Sequence, residues 1–189
     1  WYSTNVKGTT KTPITDEWSE SPNLAIEPFS EKGIRYYVCG ATVDQENVVY
    51  SDVVAAAYTG LPILNIDTEN HEEPSRMWIY KDGEETAIYD SKDYVKKESG
   101  LTVKLRGNTS AFTPKKPYKL KLQKKDDLLA KLIGRNDKKY KDKNWVLLKD
   151  GTSLKTFVGL TVADIAGTPW TPEFTYVNVI MNGIYRDVY

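Results

Sequence analysis

Two segments, Leu101-Thr102-Val103-Lys104-Leu105 and Tyr118-Lys119-Leu120-Lys121-Leu122, alternate apolar and polar residues with a period of two. This alternation is the strongest constraint on the fold, because only an extended strand sends every second side chain to the same face. It predicts two strands with apolar side chains toward a core and lysines on the opposite face. Other short apolar runs bounded by turn residues extend the β pattern. Met77-Trp78-Ile79-Tyr80 and Ala87-Ile88-Tyr89 flank Asp82-Gly83, a hairpin signal. Ile34–Thr42 and Val48–Val54 flank Asp44-Gln45-Glu46-Asn47 and predict a second pair of strands, and Tyr176–Met181 runs into an Asn182-Gly183 turn. One segment carries the other period: Leu154, Phe157, Val158, Thr161 and Ile165 recur at spacings of three and four. With Thr152 or Ser153 as cap and Gly167 at the C′ position, residues 153–166 predict an amphipathic helix packed on the sheet. The fold class expected is α+β.

Composition sets the outer bounds. The 189 residues, 40% hydrophobic and 28% charged, suit one or two globular domains and exclude wholesale disorder. No apolar run approaches the roughly 20 residues of a membrane span, and Trp1 opens the chain without a signal-like segment, so no membrane span and a trimmed chain are expected. One cysteine, Cys39, allows no internal disulfide, and with a single histidine, His71, no Cys/His-rich zinc site is expected. Cys39 reads as a small buried hydrophobe and His71 as a surface residue of an acidic loop. The 26 basic and 26 acidic residues balance in number but not in position. Residues 1–60 hold 4 basic and 8 acidic side chains, residues 61–100 hold 5 and 10, and residues 101–189 hold 17 and 8. A C-terminal half this basic points to nucleotide phosphates, nucleic acid or anionic cell-surface polymers as partners, with a solvated lysine face as the alternative.

The β pattern of the first segment fades near Ala55–Gly60, which predicts domains at 1–59 and 60–189. Trp1-Tyr2-Ser3 and the Tyr-x-Cys spacing of Tyr37-Val38-Cys39 resemble the second half of a bacterial immunoglobulin-like domain, which implies a partial β-sandwich for residues 1–59. Between the two alternating segments, Arg106 to Pro117 forms a Gly-containing loop rich in hydrogen-bond donors, of a kind that can lay N–H groups and cations over phosphates. It matches neither a Walker P-loop nor a dinucleotide fingerprint. The run Lys138–Asn144, with Tyr140 interleaved, lacks a stacking platform and reads as a solvated loop, so no nucleic-acid partner is expected.

The order of Leu61-Pro62-Ile63, Arg106-Gly107-Asn108-Thr109-Ser110, Lys115–Leu122, Lys143–Leu148 and Asn182–Tyr189 resembles the spore coat protein H (CotH) kinase-like family over residues 61–189. The resemblance implies the N-terminal part of an atypical protein-kinase-like domain, an antiparallel sheet plus a packed helix, that binds ATP with magnesium. It implies a nucleotide-covering loop at Arg106, Gly107, Asn108 and Ser110. A phosphate-pairing lysine is implied at Lys119 or Lys121, with Lys121 favoured and Lys116 less well placed. Carboxylates that would hold magnesium and accept the substrate proton are expected beyond Tyr189, so residues 1–189 alone are expected to be inactive. Two positions depart from the family pattern: Lys155-Thr156 replaces Arg-Asn at the start of the helix, and Asp187 stands where a glycine is usual. A glutamate to pair with the lysine is unassigned; Asp164 on the helix is a weak candidate and reads rather as a surface residue. The implied setting is a secreted or surface-attached bacterial protein whose partners are a nucleotide and a phosphoacceptor protein. The alternative is a noncatalytic surface or spore-coat scaffold with a basic, polyanion-binding face.

Overall fold

The computed structural model describes residues 1–14, 23–69, 74–84, 86–149 and 154–189. His71 and the expected caps Thr152 and Ser153 lie outside these residues. The first segment contains β1 (Tyr2–Thr4), β2 (Thr12–Pro13), β3 (Gly33–Val38), β4 (Gly40–Ala41), β5 (Val49–Tyr50) and β6 (Val54–Tyr58). An antiparallel sheet runs in the order β2-β1-β3-β6, and β4 and β5 pair separately. The expected partner of the 34–42 run is therefore corrected. Residues 33–38 pair with Val54–Tyr58, which remain extended where the sequence pattern suggested the strands had ended, and only Gly40–Ala41 pairs with Val49–Tyr50. The turn between them is set by Asp44, whose carboxylate accepts from the backbone N–H groups of Glu46 at 3.0 Å and Asn47 at 2.9 Å. Tyr37 and Val38 are buried, whereas Cys39 is only partly buried.

The second segment holds β7 (Ile63–Thr68), β8 (Pro74–Tyr80), β9 (Tyr89–Asp90), β10 (Leu101–Leu105), β11 (Tyr118–Asp126), α1 (Leu128–Ile133), β12 (Asp142–Leu147), α2 (Lys155–Ile165), β13 (Asn178–Met181) and β14 (Ile184–Val188). The sheet order is β12-β11-β10-β8-β7-β13-β14, with β9 paired to β8. The two alternating segments are neighbours, as expected, with Leu101 opposite Leu122 and Leu105 opposite Tyr118. The sheet is mixed, not purely antiparallel, because β13 lies parallel to β7. One face carries the core: Leu64, Ile66, Met77, Ile79, Leu101, Val103, Leu120, Leu122 and Val179 are all at most 3% exposed. The sheet curls around this core. Tyr118 at the start of β11 meets Tyr189 at the end of β14, 6.1 Å between ring centroids, although their strands lie near opposite ends of the sheet order.

Helix α2 departs from the expected packing. Phe157 and Leu160 line a cavity of about 140 Å³ against Leu120, Trp145 and Leu147, yet no residue of the helix is fully buried. Val158, Val162 and Ile165 remain 52%, 57% and 80% exposed. The cause lies in the sequence: apolar residues occur around the whole helix, and a single sheet covers one side only.

The two sheets are joined by specific hydrogen bonds. Asp82 accepts from the backbone N–H of Thr59 at 3.1 Å and of Gly60 at 2.8 Å. Asn178, fully buried, donates to the Leu61 carbonyl at 3.3 Å and to the Thr59 hydroxyl. The N–H of Ala55 in β6 donates to the carbonyl of Gly183 at 2.7 Å.

Candidate anion-binding site

Every residue singled out for phosphate binding lies on the β10–β11 hairpin. The ladder continues into the loop through a hydrogen bond from Arg106 N–H to the Pro117 carbonyl, 3.0 Å. Gly107 takes the left-handed backbone that glycine tolerates, with φ 87°, and a short 3₁₀ turn follows over Thr109–Phe112. Arg106, Gly107 and Asn108 are exposed, and Phe112 projects from the loop at 86% exposure. Ser110 belongs to the 3₁₀ turn, and its side chain lies outside the described part of the structure.

Lys119 and Lys121 are exposed and in step with Asn144 and Val146 of β12, on the face opposite the core. Cross-strand pairing sets Lys104 against Lys119 and Thr102 against Lys121. The alternation continued from Lys104 puts Arg106 on the same side. The outer face thus gathers Lys104, Arg106, Lys119 and Lys121 at the base of one hairpin, away from both helices. Neither Lys119 nor Lys121 has an acidic partner among the described residues. Asp164, considered as an acid partner, is exposed on α2, which packs on the inner side of the sheet.

The inner side of the same loop holds a second group of cations. Lys149, two residues beyond β12, donates through Nζ to the Thr113 hydroxyl at 2.9 Å. That hydroxyl donates in turn to the Lys115 carbonyl at 2.8 Å. The Lys115 ammonium lies 4.7 Å from the Tyr189 ring centroid and 3.5 Å from the Asp187 carboxylate, and donates to the Val188 carbonyl. Lys116 is occupied by the Ala111 carbonyl, 2.7 Å away, inside the loop. Burial pushes the Tyr118 and Tyr189 hydroxyls above the usual tyrosine range, and the nearby Arg186 charge offsets part of that rise in both. The sequence reading passed over Lys149. Its signal was the alternation of Trp145 and Leu147, both facing the core, which places residue 149 on the inner side.

Among the described residues, no group of three or more His, Cys, Asp or Glu side chains comes together. No ligand set is therefore assigned to magnesium, and no chemical step is derived through it. The run Lys138–Asn144 is partly structural. Lys139 pairs with Glu173 at 2.7 Å, Arg135 bonds the same carboxylate, and β12 begins at Asp142. Compared with family models, with characterised proteins and with solved structures, the chain matches none.

Proposed function

We propose that this chain is the nucleotide-binding part of a CotH-like, kinase-related domain from a secreted or surface-associated bacterial protein, preceded by part of an immunoglobulin-like module. The observation that supports this reading is the element order: a hairpin with a donor-rich, basic loop (β10–β11), a strand (β12), a helix (α2) and a closing hairpin (β13–β14). Protein kinases lay a Gly-rich loop over the nucleotide phosphates and carry the phosphate-pairing lysine on a following strand, with most of the catalytic effect coming from positioning and charge neutralisation. In this proposal ATP is the ligand and a protein hydroxyl the acceptor.

A second reading is favoured by the outer face. Lys119 and Lys121 are exposed on the face opposite the core, an arrangement suited to an extended polyanion bound by many weak contacts. The two readings separate in one titration. Magnesium-ATP and a sulfated polysaccharide are each titrated into the protein at low and moderate salt. Saturable one-to-one binding of ATP supports the kinase-related reading. Binding of the polymer alone, falling steeply as salt rises, supports the scaffold.

A further inference from the structure

We propose that a cleft of about 350 Å³ at the β12 edge of the large sheet binds a neutral saccharide, with Trp170 as the stacking surface and Asn144 as the amide that meets sugar hydroxyls. The cleft shares no residue with the β10–β11 hairpin. The inference therefore goes beyond the phosphate-ligand reading above and does not depend on it.

The cleft forms where two segments distant in sequence meet. One wall comes from residues 139–145, and the other from Trp170, Pro172 and Glu173, which follow α2. Glu173 pins the walls together: its carboxylate accepts from Lys139 Nζ at 2.7 Å, from the Tyr140 hydroxyl at 3.2 Å and from Arg135. Tyr140 is also fixed from behind, because its backbone N–H donates to the buried Asp127 carboxylate at 2.8 Å. Trp145 packs against the core, and its indole N–H donates to the Asp142 carbonyl at 3.2 Å, so its ring is held in place as part of the wall. A cleft braced in this way is formed before a ligand arrives, which lowers the ordering cost of binding.

Within this frame Trp170 is left for a ligand. It is 67% exposed, and among the described residues its indole N–H has no hydrogen-bond partner. Pro169 and Pro172 bracket it, and proline fixes its own φ while holding the preceding residue extended, so the ring stands on a stiffened segment. Asn144 supplies the polar counterpart. Its Nδ2 gives one hydrogen to the Asp142 carboxylate at 3.1 Å, which orients the amide and leaves its second N–H and its carbonyl oxygen without a partner among the described residues. A donor and an acceptor side by side match the vicinal hydroxyls of a sugar ring, and the C–H face of a pyranose is apolar enough to stack on an indole. Charge selects the ligand class. The charged residues lining the cleft cancel, Lys139 and Lys141 against Asp142 and Glu173, whereas a nucleic-acid strand calls for uncompensated cations along its backbone.

The test titrates cellohexaose, chitohexaose and maltohexaose, three neutral glycans differing in linkage and substituents, into the wild-type chain, Trp170→Ala, Trp170→Phe and Asn144→Ala, followed by calorimetry and tryptophan fluorescence. Oligothymidylate is the charged comparison, and thermal melts confirm folding. At least one hexasaccharide is expected to bind one-to-one with an affinity that does not change from low to high salt, as for an uncharged ligand. Trp170→Ala is expected to weaken that binding by about tenfold, the scale of one stacking contact, and Trp170→Phe to stay within about threefold of wild type. Asn144→Ala is expected to weaken it by about threefold or more, the scale of one neutral hydrogen bond. Failure of the wild-type chain to bind any of the three glycans overturns the proposal. So does glycan binding that both folded alanine variants leave unchanged. Salt-sensitive binding of oligothymidylate, lost in Trp170→Ala and without glycan binding, would make the cleft a single-strand nucleic-acid site and overturn the saccharide assignment. The binding of magnesium-ATP is expected to be the same in all four proteins, so the nucleotide reading is judged separately.

Discussion

Asp187 shows how one residue answers to local backbone physics. The backbone there adopts φ 100°, a region that disfavours any side chain. The cause is local. The β13–β14 register shifts between Val179 and Ile180, so β14 carries an irregularity opposite this step. The Asp187 carboxylate recovers part of the cost by accepting from Val188 N–H at 2.8 Å, and its contact with Lys115 is long and solvent-exposed. Asp187→Gly is therefore expected to raise stability by about 0.5 kcal/mol, with relief of the positive φ exceeding the loss of a weak surface pair. A denaturant titration checks this, and a lower midpoint would show that the carboxylate contacts outweigh the strain.

Among the elements, α1 was not legible and α2 was legible only in part. Six residues, Leu128–Ile133, are too few to establish a helical period, and the preceding strand already supplies alternating apolar residues. What fixes α1 is Asp127, 2% exposed, whose carboxylate accepts from Ala130 N–H and from Tyr140 N–H, both at 2.8 Å. Gly134, with φ 73°, closes the other end. Asp127→Ala removes a cap and leaves two backbone donors unsatisfied, so a loss of about 1–3 kcal/mol is expected by calorimetry. In α2 the apolar spacing and the stop at Gly167 were readable, and Gly167 indeed takes φ 73°. How much of the helix would be covered was not readable, because periodicity specifies a face without specifying what packs on it.

At the scale of the whole molecule, the boundary near Gly60 is a short junction tied on both sides. Asn178 and Asp82, both in the second segment, hold Thr59, Gly60 and Leu61, while β6 bonds to the Gly183 turn. Asn178→Ala is expected to cost about 1–3 kcal/mol through the unsatisfied groups it leaves. It is also expected to speed amide exchange in β6 ahead of the core strands β8 and β10. Equal acceleration in all three strands would mean that the two sheets unfold as one unit regardless of this residue.

The sequence by itself determined the β10–β11 hairpin, the exposure of Lys119 and Lys121, the Asn182-Gly183 turn and the α+β class, because each follows from a period or a turn preference contained within a few residues. Only the tertiary structure decided that β13 runs parallel to β7, that the sheet curls until Tyr189 meets Tyr118, and that Lys149 bonds the 106–117 loop through Thr113. Those outcomes depend on contacts between residues far apart in the chain. Local alternation names the two faces of a strand, and the curl of the whole sheet decides which of them encloses the core.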